Sequence, residues 1–302
     1  MPDGVRLAVE VFPGQEAMPK LLFLHGFGQN RLAWHASAVS LSRAGFTCWT
    51  MDGRGHGDSG WSSDADYALA QFTADALAVL AQLQGTSNAH APAPIVVGAS
   101  MGGLLGLLCA AQNPAAVRAL ALIDVTPRWE AAGVERIFAF MRANPDGFAD
   151  LSAANDAVQA YQPQRETGDP NRLRAHLREG SDGRLRWHWD PLLLPKITEA
   201  SKTYTPILEQ AAGLVKCPVL LLSGGRSDVV SEATIESFMC QVPHAQHRQI
   251  ADATHRVVGD SNQPFTDAML EFLTQFIPQN LHSNSHSNIN PNLNFVPTRN
   301  AS

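Results

Sequence analysis

Short apolar segments alternate with longer amphipathic segments along most of this chain. The short apolar runs predict buried strands, and the longer patterns with helical periodicity predict helices. The predicted strands are residues 20–24, 46–51, 95–97, 120–123, 218–222 and 248–250. The predicted helices are residues 33–44, 69–83, 102–113 and 265–276. Residues 5–12 alternate between apolar and polar side chains, which predicts an edge strand within an opening hairpin. This alternation predicts an α/β fold, a mostly parallel twisted sheet with helices on both faces.

The strand pattern stops between residues 127 and 213, where short helical patterns are broken by prolines and polar residues. Such a block between two strands predicts a helical cap lying over the edge of the sheet. It is inserted after the sixth strand, with the opening hairpin counted as two strands. Residues 1–126 and 214–278 then form the core domain. The inserted segment contains Trp187 and Trp189, within the densest aromatic patch of the chain. These two side chains are expected either to contact substrate or to form the core of the cap.

Residues 279–302 differ from the rest of the chain in composition. Asparagine and serine dominate there, and apolar residues are scarce. A segment of this composition buries too little apolar surface to offset the entropy of ordering it, so we predict a disordered tail.

Composition excludes several classes of protein. The net charge is −6, so electrostatics give no reason to expect nucleic acid as a partner. The sequence has neither an apolar run long enough to span a membrane nor a recognisable secretion signal at its start. The four cysteines match neither a zinc site nor a redox pair, which favours free thiols and a cytoplasmic location. The oligomeric state is not indicated by the sequence.

The strongest chemical signal is the segment Gly98-Ala99-Ser100-Met101-Gly102, which fits the pattern G-x-S-x-G. It follows a predicted buried strand and precedes a predicted helix, the setting in which this pattern forms a nucleophile elbow. The small flanking residues allow a tight turn that exposes the serine oxygen above the sheet. We therefore predict that Ser100 is a nucleophile, which needs a base to take its proton and an acid to orient that base.

Three motifs in the same order resemble those of the α/β-hydrolase fold family. They are His25-Gly26-Phe27-Gly28, the glycine-rich segment 52–59, and the elbow around Ser100. The resemblance extends over residues 5–276 and is greatest to capped serine esterases and non-haem haloperoxidase-like enzymes.

This resemblance implies roles for further residues. It assigns the acid to Asp228, which follows the strand 218–222, and the base to His255, which follows the last short strand. Asp124 ends an earlier strand and is an alternative acid. The resemblance also implies an oxyanion hole formed by the backbone N–H groups of Phe27 and Met101. His25 is expected to brace the loop that contains Phe27.

Together these features predict hydrolysis of a carboxylic ester, lactone or thioester through an acyl-enzyme on Ser100, with no metal or organic cofactor. The expected partner is a small-molecule substrate with an apolar acyl or aryl group. A carbon–carbon bond hydrolase and a perhydrolase would use the same three side chains, and a non-catalytic binding protein could share the fold. Residues 55–60 also fit G-x-G-x-x-G, but no helix is predicted after them, so a tight turn is favoured over a nucleotide site.

Overall fold

A computed structural model of the chain describes residues 1, 3–85, 92–162, 173–255 and 262–278. Its centre is a seven-stranded sheet in the order β1-β3-β2-β4-β5-β8-β9. These strands are β1 (Val9–Phe12), β2 (Lys20–Leu24), β3 (Thr47–Met51), β4 (Ile95–Ala99), β5 (Ala119–Ile123), β8 (Val219–Gly224) and β9 (Gln246–Ile250). β1 pairs antiparallel with β3, and the remaining pairings in this sheet are parallel. The predicted fold class is confirmed. The predicted tail, residues 279–302, lies outside the described residues.

Helices cover both faces of the sheet because its strands are apolar on both sides. Along β2, for example, Leu22 and Leu24 join the core on one face, whereas Leu21 and Phe23 join the core on the other. The helices outside the insertion are α1 (His35–Arg43), α2 (Leu69–Gly85), α3 (Met101–Gln112), α8 (Glu232–Gln241) and α9 (Asn262–Thr274). The helices α2, α3 and α8 pack on the first face, and α1 and α9 pack on the second.

The predicted opening hairpin is wrong for the described residues. One strand, β1, precedes β2, and it pairs with β3, which lies between β1 and β2 in the sheet. The connection from β1 to β2 therefore passes the beginning of β3, with Gly14 packed tightly against the backbone of Gly45 and Phe46. Because a single strand stands in place of the predicted hairpin, the insertion follows the fifth strand in chain order rather than the sixth.

The insertion, residues 127–213, is only partly helical. Its described helices are α4 (Ala131–Arg142), α5 (Leu151–Tyr161), α6 (Leu193–Ser201) and α7 (Tyr204–Leu214). Between α5 and α6 lies an antiparallel pair of short strands, β6 (Leu177–Glu179) and β7 (Leu185–Trp187), which corrects the prediction of an all-helical segment. Side chains of α4, α6 and α7 belong to the same apolar cluster as α2 and α3. The division of the chain into core and cap domains stays a prediction.

Within the described parts of the chain, no helix combines the length and the apolar character needed to cross a bilayer. Cys48 and Cys109 are buried free thiols whose pKa values are raised by burial to about 12. They pack as small apolar side chains rather than as reactive thiolates.

Candidate active site

Ser100 lies in the sharp turn between β4 and α3. Its backbone has φ 49° and ψ −122°, a conformation that L-residues rarely adopt. The turn is possible because the residues two before and two after Ser100 are glycines: a Cβ on Gly98 would lie 2.3 Å from the carbonyl oxygen of Gly102. A Cβ on Gly102 would lie 2.2 Å from the carbonyl oxygen of Leu24. The small residues of the elbow are therefore sterically required.

Ser100 is one end of a chain of hydrogen bonds through a histidine to a buried carboxylate. The Oγ atom of Ser100 lies 3.2 Å from Nε2 of His255, and Nδ1 of His255 lies 2.7 Å from Oδ2 of Asp124. Because the carboxylate can only accept, Nδ1 donates to Asp124 and Nε2 is left to accept the hydroxyl proton of Ser100. The His255 side chain is 16% exposed and that of Asp124 is fully buried. This is the geometry of a nucleophile, a base and an orienting acid.

The assignment of the acid to Asp228 is corrected by this geometry. Asp228 forms an ion pair with Arg136 of α4 at 2.5 Å, and its side chain is about one-third exposed. Its backbone carbonyl packs directly against Gly133, where an added Cβ would lie 2.0 Å from the Asp228 oxygen. The packing of α4 thus holds Asp228 in an ion pair at the surface, and the alternative acid, Asp124, contacts His255.

The Asp124 carboxylate accepts two further hydrogen bonds. Its Oδ1 accepts from the backbone N–H of Gly224 at 2.7 Å, and its Oδ2 accepts from the hydroxyl of Ser227 at 2.6 Å. Gly224 is the last residue of β8, and Ser227 lies in the loop that follows this strand. No motif in the sequence indicates a role for either residue, although Ser227 lies directly before the predicted acid.

The predicted oxyanion donors lie on either side of Ser100. Met101 is the first residue of α3, and Gly26 packs so closely that an added Cβ would lie 3.3 Å from the Cβ of Ser100. Among hydrogen bonds between described residues, none uses the N–H of Phe27 or of Met101. Their role as donors to an oxyanion near Ser100 stays a prediction.

Three buried histidines lie beside this loop and are called the histidine cluster: His25, His56 and His188. Each ring accepts a hydrogen bond from a glycine N–H, at 2.9 Å, 3.2 Å and 2.7 Å respectively. In His25 and His56 the other ring nitrogen donates to a backbone carbonyl. A ring nitrogen that accepts an N–H cannot carry a proton, so these rings are neutral. His25 bonds to Gly26 and to Gly53, and these two bonds connect the predicted oxyanion loop to the segment after β3, as expected for a residue that braces this loop.

Burial disfavours the charged form of each ring in the cluster. It is the main cause that lowers the pKa of His25, and it places the pKa of His56 well below the ordinary value. Burial, assisted by repulsion from His176, lowers the pKa of His188 to about 3. The cluster therefore stays uncharged at neutral pH.

The glycine-rich segment 52–60 forms a turn around the carboxylate of Asp52. This buried group accepts from the backbone N–H of Arg31 at 2.6 Å and from that of Asp58 at 2.9 Å, and it pairs with the Arg31 guanidinium. Gly57 packs so closely that a Cβ there would lie 2.2 Å from the Asp52 carboxylate. These contacts agree with a tight turn rather than with a phosphate-binding loop.

Trp187 and Trp189 stack on one another, with ring centroids 5.2 Å apart and planes 12° from parallel. Trp187 contacts Phe140 and Phe148 within the insertion, whereas Trp189 is buried and reaches Gly28 of the predicted oxyanion loop. Both rings are thus part of the packing that joins the insertion to this loop. A role in contacting substrate stays a prediction.

Apolar side chains of α4 lie above the predicted oxyanion loop. The rings of Phe27 and Phe138 are 6.0 Å apart, and the Met141 side chain contacts Gly28 closely. The described part of the chain contains no cluster of three or more histidine, cysteine, aspartate or glutamate side chains that could hold a metal ion. Apolar side chains of the insertion thus lie next to the predicted oxyanion loop.

Comparison with known proteins gives consistent matches. A sequence model described as "Alpha/beta hydrolase family" matches residues 21–268. The chain is 30% identical over 276 residues to an sn-1-specific diacylglycerol lipase from Mus musculus, covering 88% of this chain and 85% of the relative. It is 29% identical over 256 residues to an esterase from Mycobacterium tuberculosis, covering 82% and 79% respectively. The crystal structure of E-2-(acetamidomethylene)succinate hydrolase superimposes with a TM-score of 0.78 at 25% identity, covering 89% of this chain and 96% of that one.

Proposed function

The chain belongs to the alpha/beta hydrolase family, and on that premise we propose that it hydrolyses carboxylic esters through an acyl-enzyme intermediate on Ser100. The single observation that carries this proposal is the hydrogen-bonded series Ser100–His255–Asp124. The names of the matched lipase and esterase favour an ester over other acyl compounds. The expected cytoplasmic location remains part of the proposal.

In the proposed reaction, the hydroxyl oxygen of Ser100 attacks the ester carbonyl carbon while Nε2 of His255 accepts the hydroxyl proton. The ring then carries a positive charge, which the adjacent Asp124 carboxylate stabilises. Backbone N–H groups of Phe27 and Met101 bind the oxyanion of the tetrahedral intermediate. The imidazolium returns its proton to the leaving alkoxide, so an alcohol departs and an acyl ester remains on Ser100.

The second half of the reaction repeats this sequence with water as the nucleophile. His255 removes a proton from the water, which attacks the acyl carbon, and the second tetrahedral intermediate uses the same N–H donors. Proton return from His255 to Ser100 then releases the carboxylic acid. The three side chains finish in their starting protonation states, so one ester and one water yield one acid and one alcohol.

We propose an apolar acyl or aryl group for the substrate. Support comes from the side chains over the predicted oxyanion loop, which are Phe27, Phe138, Met141 and Trp189. All four are apolar or aromatic. Phe138, Met141 and Trp189 belong to the same apolar cluster, and Phe27 packs against it. A charged acyl chain would lose hydration against these side chains without gaining an ion pair from them.

The direct test is intact-mass analysis of the protein after treatment with a fluorophosphonate, which reacts with activated serines. We expect one stoichiometric adduct on the wild type and none on Ser100→Ala. Ser223→Ala serves as a control because the Ser223 hydroxyl is bonded to His247 and not to His255. Hydrolysis of p-nitrophenyl esters should follow the same pattern. Folded wild-type protein that neither forms the adduct nor hydrolyses any ester would contradict the proposal and favour a binding protein on this fold.

A further inference from the structure

The loop after β8 brings a serine hydroxyl to the carboxylate that orients His255. Ser227 donates to Oδ2 of Asp124 at 2.6 Å, and Nδ1 of His255 donates to the same oxygen at 2.7 Å. One carboxylate oxygen therefore accepts two hydrogen bonds, one from the base of the proposed mechanism and one from a hydroxyl in a separate loop. The two donors approach from elements more than a hundred residues away from Asp124 in the chain.

The direction of the Ser227 hydroxyl is fixed by its other contacts. Its oxygen accepts the backbone N–H of Val229 at 3.2 Å and that of Val230 at 3.1 Å. A hydroxyl has two lone pairs and one proton, so these two bonds use its acceptor capacity. The remaining proton is directed at Asp124. The loop thus presents a donor whose orientation is set before substrate binds.

The Ser227 hydroxyl is important to Asp124 because the Asp124 carboxylate is buried. The Asp124 side chain has no exposed surface, so water cannot replace a lost partner without entering the site. The Gly224 N–H holds Oδ1 at 2.7 Å, and Ser227 holds Oδ2. Together they fix the plane of the carboxylate, and the carboxylate plane in turn fixes the His255 ring. Hydrogen bonds to an ionised carboxylate are stronger than those between neutral groups.

We propose that Ser227 is a positioning residue, which holds the Asp124 carboxylate in the orientation that directs His255 towards Ser100. This inference rests on the proposed function. Ser227 does not touch the reacting atoms and acts through Asp124. The loop in which the sequence predicted the acid therefore contributes a hydroxyl that orients the actual partner of His255.

The test compares Ser227→Ala, Ser227→Cys and Ser227→Thr in p-nitrophenyl ester hydrolysis, with melting temperatures measured alongside. Loss of an orienting interaction lowers the rate of the chemical step more than it weakens substrate binding. For Ser227→Ala we expect kcat to fall about tenfold while KM stays within about twofold. Threonine keeps the hydroxyl and should restore kcat. Cysteine, a weak donor, should give an intermediate value and keeps the test available if the alanine variant does not fold.

Ser231→Ala is the matched control, because Ser231 lies in the same loop region. Its hydroxyl caps α8 and bonds to Glu130, with no contact to Asp124. We expect it to lower the melting temperature and to leave kcat within about twofold of the wild type. The proposal is overturned if Ser227→Ala keeps the wild-type kcat. It is also overturned if kcat falls equally in Ser227→Ala and Ser231→Ala, or equally in Ser227→Ala and Ser227→Thr. Fluorophosphonate labelling of the wild type separates these failures from a failure of the proposed function.

Discussion

His255 and the histidine cluster contain the same imidazole ring in opposite surroundings. The His255 ring is bonded to two side chains, a carboxylate and a hydroxyl, and is 16% exposed. The cluster rings of His25, His56 and His188 accept backbone N–H groups and are at most 6% exposed. On the proposed function, the difference indicates what makes a histidine available as a base. Its acceptor nitrogen must face a group that can lose a proton, and its donor nitrogen must face a charge that can stabilise the cation.

The largest effect should be a loss of activity on substitution of His255 or its partner Asp124. His255→Ala and Asp124→Ala should lower kcat/KM for a p-nitrophenyl ester by about 10³–10⁴-fold, because one removes the base and the other the group that orients it. Asp228→Asn is the control and should stay within about threefold of the wild type, since Asp228 pairs with Arg136 instead. A loss in Asp228→Asn equal to that in Asp124→Ala would show that the surface carboxylate, not the buried one, assists His255.

A smaller effect, on stability rather than chemistry, should come from the cluster. His56→Ala removes a buried ring that accepts from the Gly28 N–H and donates to the Arg54 carbonyl. The cavity and the two unpaired backbone groups should lower the free energy of unfolding by about 2–4 kcal/mol, measured by urea denaturation. His35→Ala, at an exposed histidine, should change it by about 0.5 kcal/mol or less. Equal effects at the two positions would remove the distinction between buried and exposed rings.

The smallest of the three effects is the pH dependence of the unfolding free energy. The cluster pKa values are lowered in the folded protein, so below the ordinary histidine pKa of 6.5 the unfolded chain binds more protons than the folded one. The cluster's stabilising contribution is thus complete above pH 6.5 and is lost as the pH falls towards the folded values. For His188, with a pKa of about 3, the loss at pH 5 amounts to about 2 kcal/mol.

This pH dependence can be isolated by substitution. In His188→Asn the amide oxygen can accept the Gly57 N–H in place of Nδ1, but the side chain does not titrate. Urea denaturation at pH 5 and pH 7.5 should therefore show a smaller difference in unfolding free energy for this variant than for the wild type. His35→Asn should retain the wild-type difference. An unchanged difference in His188→Asn would mean that His188 does not contribute to the acid sensitivity.

The sequence predicted the features that local sterics determine. The elbow around Ser100 was predicted because tight approach of strand and helix requires small residues, and the structure shows approaches at Gly98 and Gly102 that leave no room for a Cβ. The parallel sheet was predicted because short apolar segments alternate with helical segments along the chain. The brace at His25 was expected from its place in the loop. In each case the evidence is a pattern that can be read along the sequence without knowledge of distant contacts.

Features that depend on distant packing were not predicted. Asp124 and Asp228 both follow apolar strands, and the choice between them depends on α4, whose Gly133 packs against the Asp228 backbone. The roles of His56 and His188 depend on contacts between the core and the insertion, 131 residues apart in the case of Gly57 and His188. The strands β6 and β7 contain three residues each, too few for a periodic pattern to be visible.

The separation of these partners along the chain has a consequence for how the protein folds. The bond between Ser100 and His255 spans 155 residues, and that between Asp124 and His255 spans 131. The bond from Tyr67 to Asp190, which ties the insertion to the core, spans 123. Closing such long loops is entropically expensive until the intervening elements have formed, so we expect these contacts to form late in folding. Fluorophosphonate labelling of Ser100 during refolding should therefore report when these long-range contacts form. We expect this labelling to recover more slowly than the helix content.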